Sequence, residues 1–516
     1  MSSKSVGTGL YRNAVSYFGG IVVMVSAALI LFALIAGFFN AQPSPYLGIF
    51  TYLVFPGFLG CGVLLILGGM RWEAGRRRKQ NTDRALPYPL LDLNDPNARK
   101  RFAYVVVGGS VVGVLMALTG YKGFLFTESV TFCGKTCHTV MKPEYVAYTN
   151  SPHARVACVE CHVGEGADWY VKSKLSGARQ VLAVAFKTYK RPIPVPIHDL
   201  RPARETCEHC HWPQKFYGAK LLQMPHYRYD EANTPEQITL TLRTGGGSKT
   251  LGRNAGIHFH MIIDNTVTFG ASDEHLQQIP WVMVKHSDGS VVEYTSPEYA
   301  PDKAASLRKR NMDCMDCHNR PSHGYHPPDG AIDTALYSGL MSPTLPWIKR
   351  VSVETLIQNY PDSATAREQI QKRMMDYYRQ HYPSVPETRA ADLKQAIEVV
   401  TAIWDRSVFP DMNVDWKTYP DNIGHRNWPG CFRCHDGRHK SKDGKVLTMD
   451  CTTCHTAPQR GSLLGLGNVS ATAADDWHPW DLAAKHLAIE PHKNVLCNSC
   501  HQAGFLPRKE CKDCHK

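Results

Sequence analysis

Three long apolar stretches open the chain, from Ala14 to Phe39, from Leu47 to Met70, and from Phe102 to about Leu118. Each is near the length needed to cross a bilayer. Buried core helices would need polar chain to cover them, and three such stretches in the first 120 residues leave little of it. A cleaved signal peptide does not suit the first stretch, because its apolar run exceeds the usual h-region and no small-x-small exit follows. The pattern predicts a membrane anchor, residues 1–125, with three transmembrane helices.

Further along, the period of the pattern changes twice. Residues 237–298 alternate apolar and polar, as in ITLTLRT and WVMVKHSDGSVVEYT, with Ser-Asp-Gly at a turn. That alternation predicts a small antiparallel β-rich insert, 231–305. VETLIQNY, REQIQKRMMDYYRQ and LKQAIEVVTAIWD within 350–405 repeat at helical spacing. They predict a helical insert, 331–408. TGGGSKT (244–250) lacks the phosphate-loop spacing and reads as a hairpin loop. KRPIPVPIHDLRP (190–202) is proline-rich and reads as an extended linker.

Cysteine changes this picture most. Sixteen of the 17 cysteines fall in eight pairs, and histidine follows every pair. Disulfides or zinc would not require that neighbour. Cys-x-x-Cys-His is the attachment signal for haem c, because two sulfurs and one imidazole must reach a single porphyrin from one side. The regular motifs are Cys158-Cys161-His162, Cys207-Cys210-His211, Cys314-Cys317-His318, Cys431-Cys434-His435, Cys451-Cys454-His455, Cys497-Cys500-His501 and Cys511-Cys514-His515. The first motif, Cys133-Cys137-His138, has three residues between its cysteines. It is read as a haem site with an enlarged loop. The chain is thus expected to carry eight haem c groups, or seven if the irregular motif is empty.

Motif starts are 14 to 117 residues apart. The short gaps cannot enclose a core, so there the porphyrins themselves must be the core. The expected fold is a multihaem cytochrome c with little regular secondary structure, three amino-terminal transmembrane helices, a β insert and a helical insert. Its modules run 126–230 (three haems), 306–458 (three haems with the helical insert) and 459–516 (two haems).

Eight of the 24 histidines lie in motifs as proximal ligands. Sixteen remain, enough for a second imidazole on every iron. The distal candidates are His153, His226, His260, His323, His425, His439 and His486, with His258, His326, His478 and His492 as competitors. His275, His286 and His381 lie in the inserts and are read as ordinary surface or core histidines. An iron with two imidazoles has no open position, so a row of them conducts electrons without reacting with substrate. Cys61, the unpaired cysteine, reads as a small buried side chain.

Charge then orients the chain. Segment 71–101 holds nine Lys or Arg, whereas AQPSPY (41–46) holds none. Positive-inside places the amino terminus and 71–101 in the cytoplasm. Everything after the third helix is then outside, where haem c is attached. The formal net charge is +12, but eight haems would add about −16 from their propionates, partly offset by iron. No nucleic-acid partner is expected.

SPHARVACVECHVG (151–164) and CEHCHWPQKFYG (207–218) resemble the NapC/NirT family of membrane-anchored quinol dehydrogenases. CMDCHNRPSH (314–323) and NIGHRNWPGCFRCHDGRH (422–439) are similar to its larger members, the inner-membrane multihaem cytochromes of metal-respiring bacteria. The resemblance covers most of the chain after about residue 100 and makes 126–230 a NapC/NirT-like module. It implies oxidation of menaquinol or another quinol at the membrane and electron delivery to periplasmic c-type cytochromes or a terminal reductase. It also implies an altered first haem with Met141 as a candidate ligand, and a quinol pocket whose lysine matches Lys174. The acidic partner two turns on is absent, since Val181 stands there. Lys142, Asp168 and Glu165 complete the titratable candidates.

Two other readings compete. One is an electron-wire subunit of a larger membrane complex with the quinol site elsewhere. The other is a multihaem reductase with an open haem, against which stand the plentiful histidines, the anchor and the lack of a Cys-x-x-Cys-Lys motif. Positions 1–120 hold no histidine, so the helices bind no haem b.

Overall fold

The computed structural model describes residues 9–39, 54–80, 94–136, 138–164, 166–197, 201–212, 216, 218–245, 256–261, 265–456 and 459–462. Contacts divide the chain into one unit of residues 1–128 with 163–179 and a second of 129–162 with 180–516. This division cuts across the modules read from motif spacing, because 163–179 groups with the anchor.

In the first unit, Ala14–Phe39 forms α1 without a charged residue. Phe55–Gln80 forms α2, whose last turn carries Arg77, Arg78 and Lys79. Among the described residues these two helices have the length and composition of membrane spans. Phe18, Ile21, Met24, Leu64 and Leu67 are exposed on them, as side chains facing lipid would be. Helices immersed in lipid gain little from apolar burial, so they pack through small residues that let backbones approach. Gly19 and Gly62 do this here. A Cβ on Gly62 would lie 2.8 Å from Val23 Cγ2 and 2.9 Å from the Gly19 carbonyl oxygen. Ser16 Oγ donates to the Ile66 carbonyl at 3.1 Å across the same contact. Cys61, expected to be buried, is exposed, and its neighbour Gly62 takes the buried position.

A third helix, α3, runs Pro96–Thr127 over the third apolar stretch. Asp95 caps it by accepting from the Asn97 and Ala98 N–H groups at 3.0 and 3.2 Å, with Pro96 pre-set in its first turn. It ends at Glu128, whose N–H donates to the Phe124 carbonyl.

The second unit begins with His138–Thr149 (α4). Ala167–Ala185 (α5) starts in the first unit and runs into the second. Strand signals resolve into two antiparallel sheets rather than one insert. Lys220–Tyr227 (β1), Pro235–Leu242 (β2) and Gln459–Ser462 (β8) make a three-stranded sheet in the order β1-β2-β8. Thr266–Ala271 (β3), Trp281–Lys285 (β4), Val291–Thr295 (β5), Arg308–Asn311 (β6) and Lys440–Ser441 (β7) make another, in the order β6-β3-β4-β5-β7. Its inner residues Val267, Phe269, Val282 and Val284 bury one face. The proline-rich segment is extended but not free. Ile193 and Val195 pack on the cluster of Phe409, Met412 and Tyr419, and the Ile193 carbonyl accepts from Tyr419 Oη at 2.9 Å. Only Thr244 and Gly245 of TGGGSKT are among the described residues, and most of 459–516 lies outside them.

Pro328–Tyr337 (α6), Ile348–Leu356 (α7), Ser363–His381 (α8) and Ala390–Ser407 (α9) form the largest apolar cluster. Ala366, Ile370, Met374 and Tyr378 line one face of α8 at four-residue spacing, against Leu393, Ala396, Val400 and Trp404 of α9. The chain is therefore more regular than its haem spacing suggests, because these segments bury a core of their own. Asn233, in left-handed conformation after β1, ties the hairpin to this bundle. Its Nδ2 donates to the Pro343 and Leu345 carbonyls and its Oδ1 accepts from the Lys349 N–H at 3.0 Å.

Lys349 is fully buried. Its Nζ lies 2.8 Å from Asp333 Oδ1 and 3.1 Å from Asp329 Oδ1, and 4.5 Å over the Tyr229 ring. His226 joins this network, with Nδ1 3.1 Å from Asp333 Oδ2 and 3.3 Å from Lys349 Nζ. A buried ammonium is tolerated only while its carboxylates neutralise it.

Two outcomes follow from this packing. Lys349→Met removes the ammonium that Asp329 and Asp333 share, leaving Arg426 beside Asp329 and His226 beside Asp333, and is expected to cost about 3–5 kcal/mol, read as a lower denaturant midpoint. Gly62→Leu overpacks the α1–α2 contact by about 1–3 kcal/mol, read as a lower melting midpoint in detergent. Leucine at exposed Cys61 should leave that midpoint unchanged.

Candidate functional site

Four of the described regular cysteine motifs fall on single helical turns, and Cys207–His211 is a hydrogen-bonded turn at the end of the helix Ala203–Cys207. Cys158–His162 and Cys314–Cys317 are α-helical, and Cys451–Thr453 and Gly430–Arg433 are tighter turns. In three of them the histidine N–H closes the turn on the first cysteine. His211 donates to the Cys207 carbonyl at 2.8 Å, His318 to Cys314 at 2.8 Å, and His435 to Cys431 at 3.0 Å. That fold puts two sulfurs and an imidazole on one side, as a porphyrin requires.

The irregular motif solves the same problem with a wider turn. Phe132–Thr136 is π-helical, the geometry that absorbs one extra residue per turn. Gly134 is buried against the Tyr145 ring of α4, leaving no room for a side chain. Cys137 and the side chain of His138 lie outside the described residues. Met141 is half-buried and three positions after His138 on α4.

Five motif histidines each face a second histidine. Ring centres are 6.1 Å apart for His153 and His211, 6.2 Å for His162 and His323, and 6.4 Å for His258 and His318. They are 5.8 Å apart for His260 and His435 and 6.2 Å for His425 and His455. An iron taking one nitrogen from each of two imidazoles sets their centres about 6 Å apart. The spacing thus fits a haem iron between each pair.

Hydrogen bonds orient these rings. Nδ1 of His153 donates to the Pro321 carbonyl at 3.2 Å, that of His323 to Glu144 at 3.1 Å, and that of His435 to Thr448 at 2.9 Å. His258 donates to Thr244 at 2.6 Å, His260 to Ile257 at 2.8 Å, and His455 to Thr456 at 2.6 Å. A carbonyl only accepts, so the proton is on Nδ1 and Nε2 keeps its lone pair for a metal. Burial pushes the pKa of His162, His260, His318, His323 and His425 down, which favours the neutral, ligating form.

Two sequence candidates sit elsewhere. His439 Nδ1 lies 2.8 Å from Asp436 Oδ1, and its Nε2 donates to the Ile279 carbonyl at 2.7 Å. Both ring nitrogens are hydrogen-bonded, as a buried imidazole requires. His226 lies in the Lys349 network. His275 and His381 are surface histidines bonded to the Val195 and Tyr377 carbonyls. His478, His486, His492 and the motifs at Cys497 and Cys511 lie outside the described residues.

Neighbouring motifs meet in chain order. The thiols of Cys133 and Cys158 are in hydrogen-bonding contact, as are those of Cys207 and Cys314. Cys161 neighbours Cys207 and Cys210, and Cys317 neighbours Cys431.

In the first unit, Lys174 is ion-paired with Glu128. Its Nζ also lies 5.1 Å over the Tyr170 ring, which packs 6.4 Å from Phe124. The second oxygen of Glu128 is buried with no hydrogen-bond partner among the described residues. Glu128 was missed by sequence reasoning, although it is the first acid after Asp95 and stands at the exit of the third apolar stretch. Lys142 is exposed, Val181 is exposed, and Glu165 and the Asp168 side chain lie outside the described residues.

Residues 95–193 match the N-terminal region of the NapC/NirT cytochrome c family. The whole chain is 42% identical over 498 residues to the cytochrome c-type protein ImcH of Geobacter sulfurreducens, covering 96% of each. No solved structure matches.

Gly134→Val forces the π-turn off Tyr145. Haem content by pyridine haemochrome is expected to fall by one per chain, whereas Gly339→Ala, far along the chain in a loop, should leave it unchanged.

Proposed function

This chain belongs to the NapC/NirT family of membrane-anchored multihaem c-type cytochromes, and from that premise we propose that it oxidises a membrane quinol and conducts the electrons outward. The observation that carries the reading is the pairing of motif histidines with second histidines at iron-spanning distance. Six-coordinate irons of this kind transfer electrons and leave no site for substrate, which argues for a conductor over a reductase.

His153 would hold the iron of the His211 haem, His323 that of the His162 haem, and His425 that of the His455 haem. Eight haem c groups complete the set, and when bound they accept and pass single electrons. The anchor has three spans, with α3 as the third, the amino terminus in the cytoplasm and the haem region in the periplasm. The nine basic residues in 71–101 support this orientation. The first motif is the entry point, since Cys133 follows α3 by six positions.

The quinol, menaquinol or a relative, is oxidised beside Lys174 and Glu128. Oxidation to the quinone releases two electrons and two protons. The Glu128 oxygen that has no partner among the described residues is an acceptor for a quinol hydroxyl proton, and Lys174 holds the carboxylate ready. Phe124 and Tyr170 offer flat apolar surface for the ring. The electrons pass to periplasmic c-type cytochromes or a terminal reductase.

Menaquinol added anaerobically to the oxidised, detergent-purified protein should reduce part of its haem absorbance rapidly. Glu128→Gln should slow this about a hundredfold, with dithionite reduction unchanged. Wild-type rates in Glu128→Gln and Lys174→Met together would remove the pair from the site. No reduction of the wild type would move quinol oxidation to another protein.

A further inference from the structure

The five-residue turn Ile257–Met261 reads IHFHM. It lies in the segment whose alternating pattern suggests only scaffold. Yet its two histidines face two different motifs. His258 meets His318 at 6.4 Å with rings nearly parallel, at 8°. His260 meets His435 at 5.8 Å with rings nearly perpendicular, at 81°.

The local geometry explains how one turn serves two directions. The turn is 3₁₀, with three residues per revolution, so side chains two positions apart leave the axis about 120° apart. Its backbone is pinned at the start, where Ile257 N–H donates to the Arg243 carbonyl at 2.8 Å and His258 N–H to Gly245 at 3.1 Å. The Phe216 ring stacks on His258 at 4.6 Å. Each ring spends its Nδ1 proton on a carbonyl, which leaves Nε2 turned to the facing motif. Independently, the sulfurs of the two motifs are neighbours, Cys317 beside Cys431 and Cys434.

We propose that this turn is a double haem ligand, with His258 binding the iron of the Cys314–Cys317 haem and His260 that of the Cys431–Cys434 haem. The assignment rests on reading the motif histidines as iron ligands. The turn then clamps two adjacent haems through one rigid piece of backbone. That fixes their separation although their motif starts lie 117 positions apart in the chain. The insert is thereby part of the electron path.

The test uses the full-length protein in detergent, reduced with dithionite, so that no quinol site is involved. Wild type should bind no carbon monoxide at these haems. His258→Ala and His260→Ala should each create one carbon-monoxide-binding haem per chain, and the double variant two, with haem content by pyridine haemochrome unchanged. The ferric paramagnetic spectrum should lose a rhombic low-spin signal in the first variant and a strongly anisotropic one in the second, following the ring angles. His258→Met and His260→Met retain a sixth ligand. Each should bind no carbon monoxide and raise the potential of one haem, a change that disrupted folding would not produce. Absence of carbon monoxide binding in the alanine variants would overturn the proposal. So would equal binding in His286→Ala, which alters an insert histidine outside any ring pair described here.

Discussion

Imidazole rings held in pairs about 6 Å apart are the constraint on which the second unit turns. The partners come from distant parts of the chain, as with His162 and His323 or His425 and His455. Each pair draws together segments that have little apolar core of their own. Carbonyls fix the tautomer of six of these rings. An error of one residue in any of these loops would turn a ring away from its partner. This explains why the loops around the motifs are tied by so many side-chain hydrogen bonds, such as Asn319 to Pro420 and Arg433 to Asp316.

Where the chain runs long between motifs, it builds conventional structure. The α6–α9 bundle has its own core around Tyr378 and Trp404. The five-stranded sheet buries Phe269 and Val282. These parts act as brackets. The β1–β2 hairpin reaches the bundle through Asn233 and through the buried Lys349 network. The cost of burying that ammonium is offset by two carboxylates converging from α6, by the Tyr227 carbonyl and by the Tyr229 ring, which makes the junction specific as well as firm.

The first unit follows other rules. In lipid, close backbone approach replaces apolar burial as the packing force, and Gly19 and Gly62 supply it. At the exit of α3 the chemistry becomes polar again, with Glu128 and Lys174 meeting beside Phe124 and Tyr170. A carboxylate and a cation thus stand beside aromatic surface, and one carboxylate oxygen has no partner among the described residues.

Short-range regularities were legible in the residues alone. The haem motifs, the apolar stretches and the helical period of 350–405 each depend on neighbours within a turn or two, and so the chain itself determines them. The extra residue after Cys133 also announced a different turn, which the structure draws as π-helical. Long-range closure was not legible. Sixteen spare histidines are chemically alike, and only the tertiary structure brings His258 rather than His439 to a motif. Spacing along the chain likewise points to an acidic partner of Lys174 on its own helix. The fold supplies Glu128 from 46 positions away, because an ion pair needs proximity in space and not in sequence.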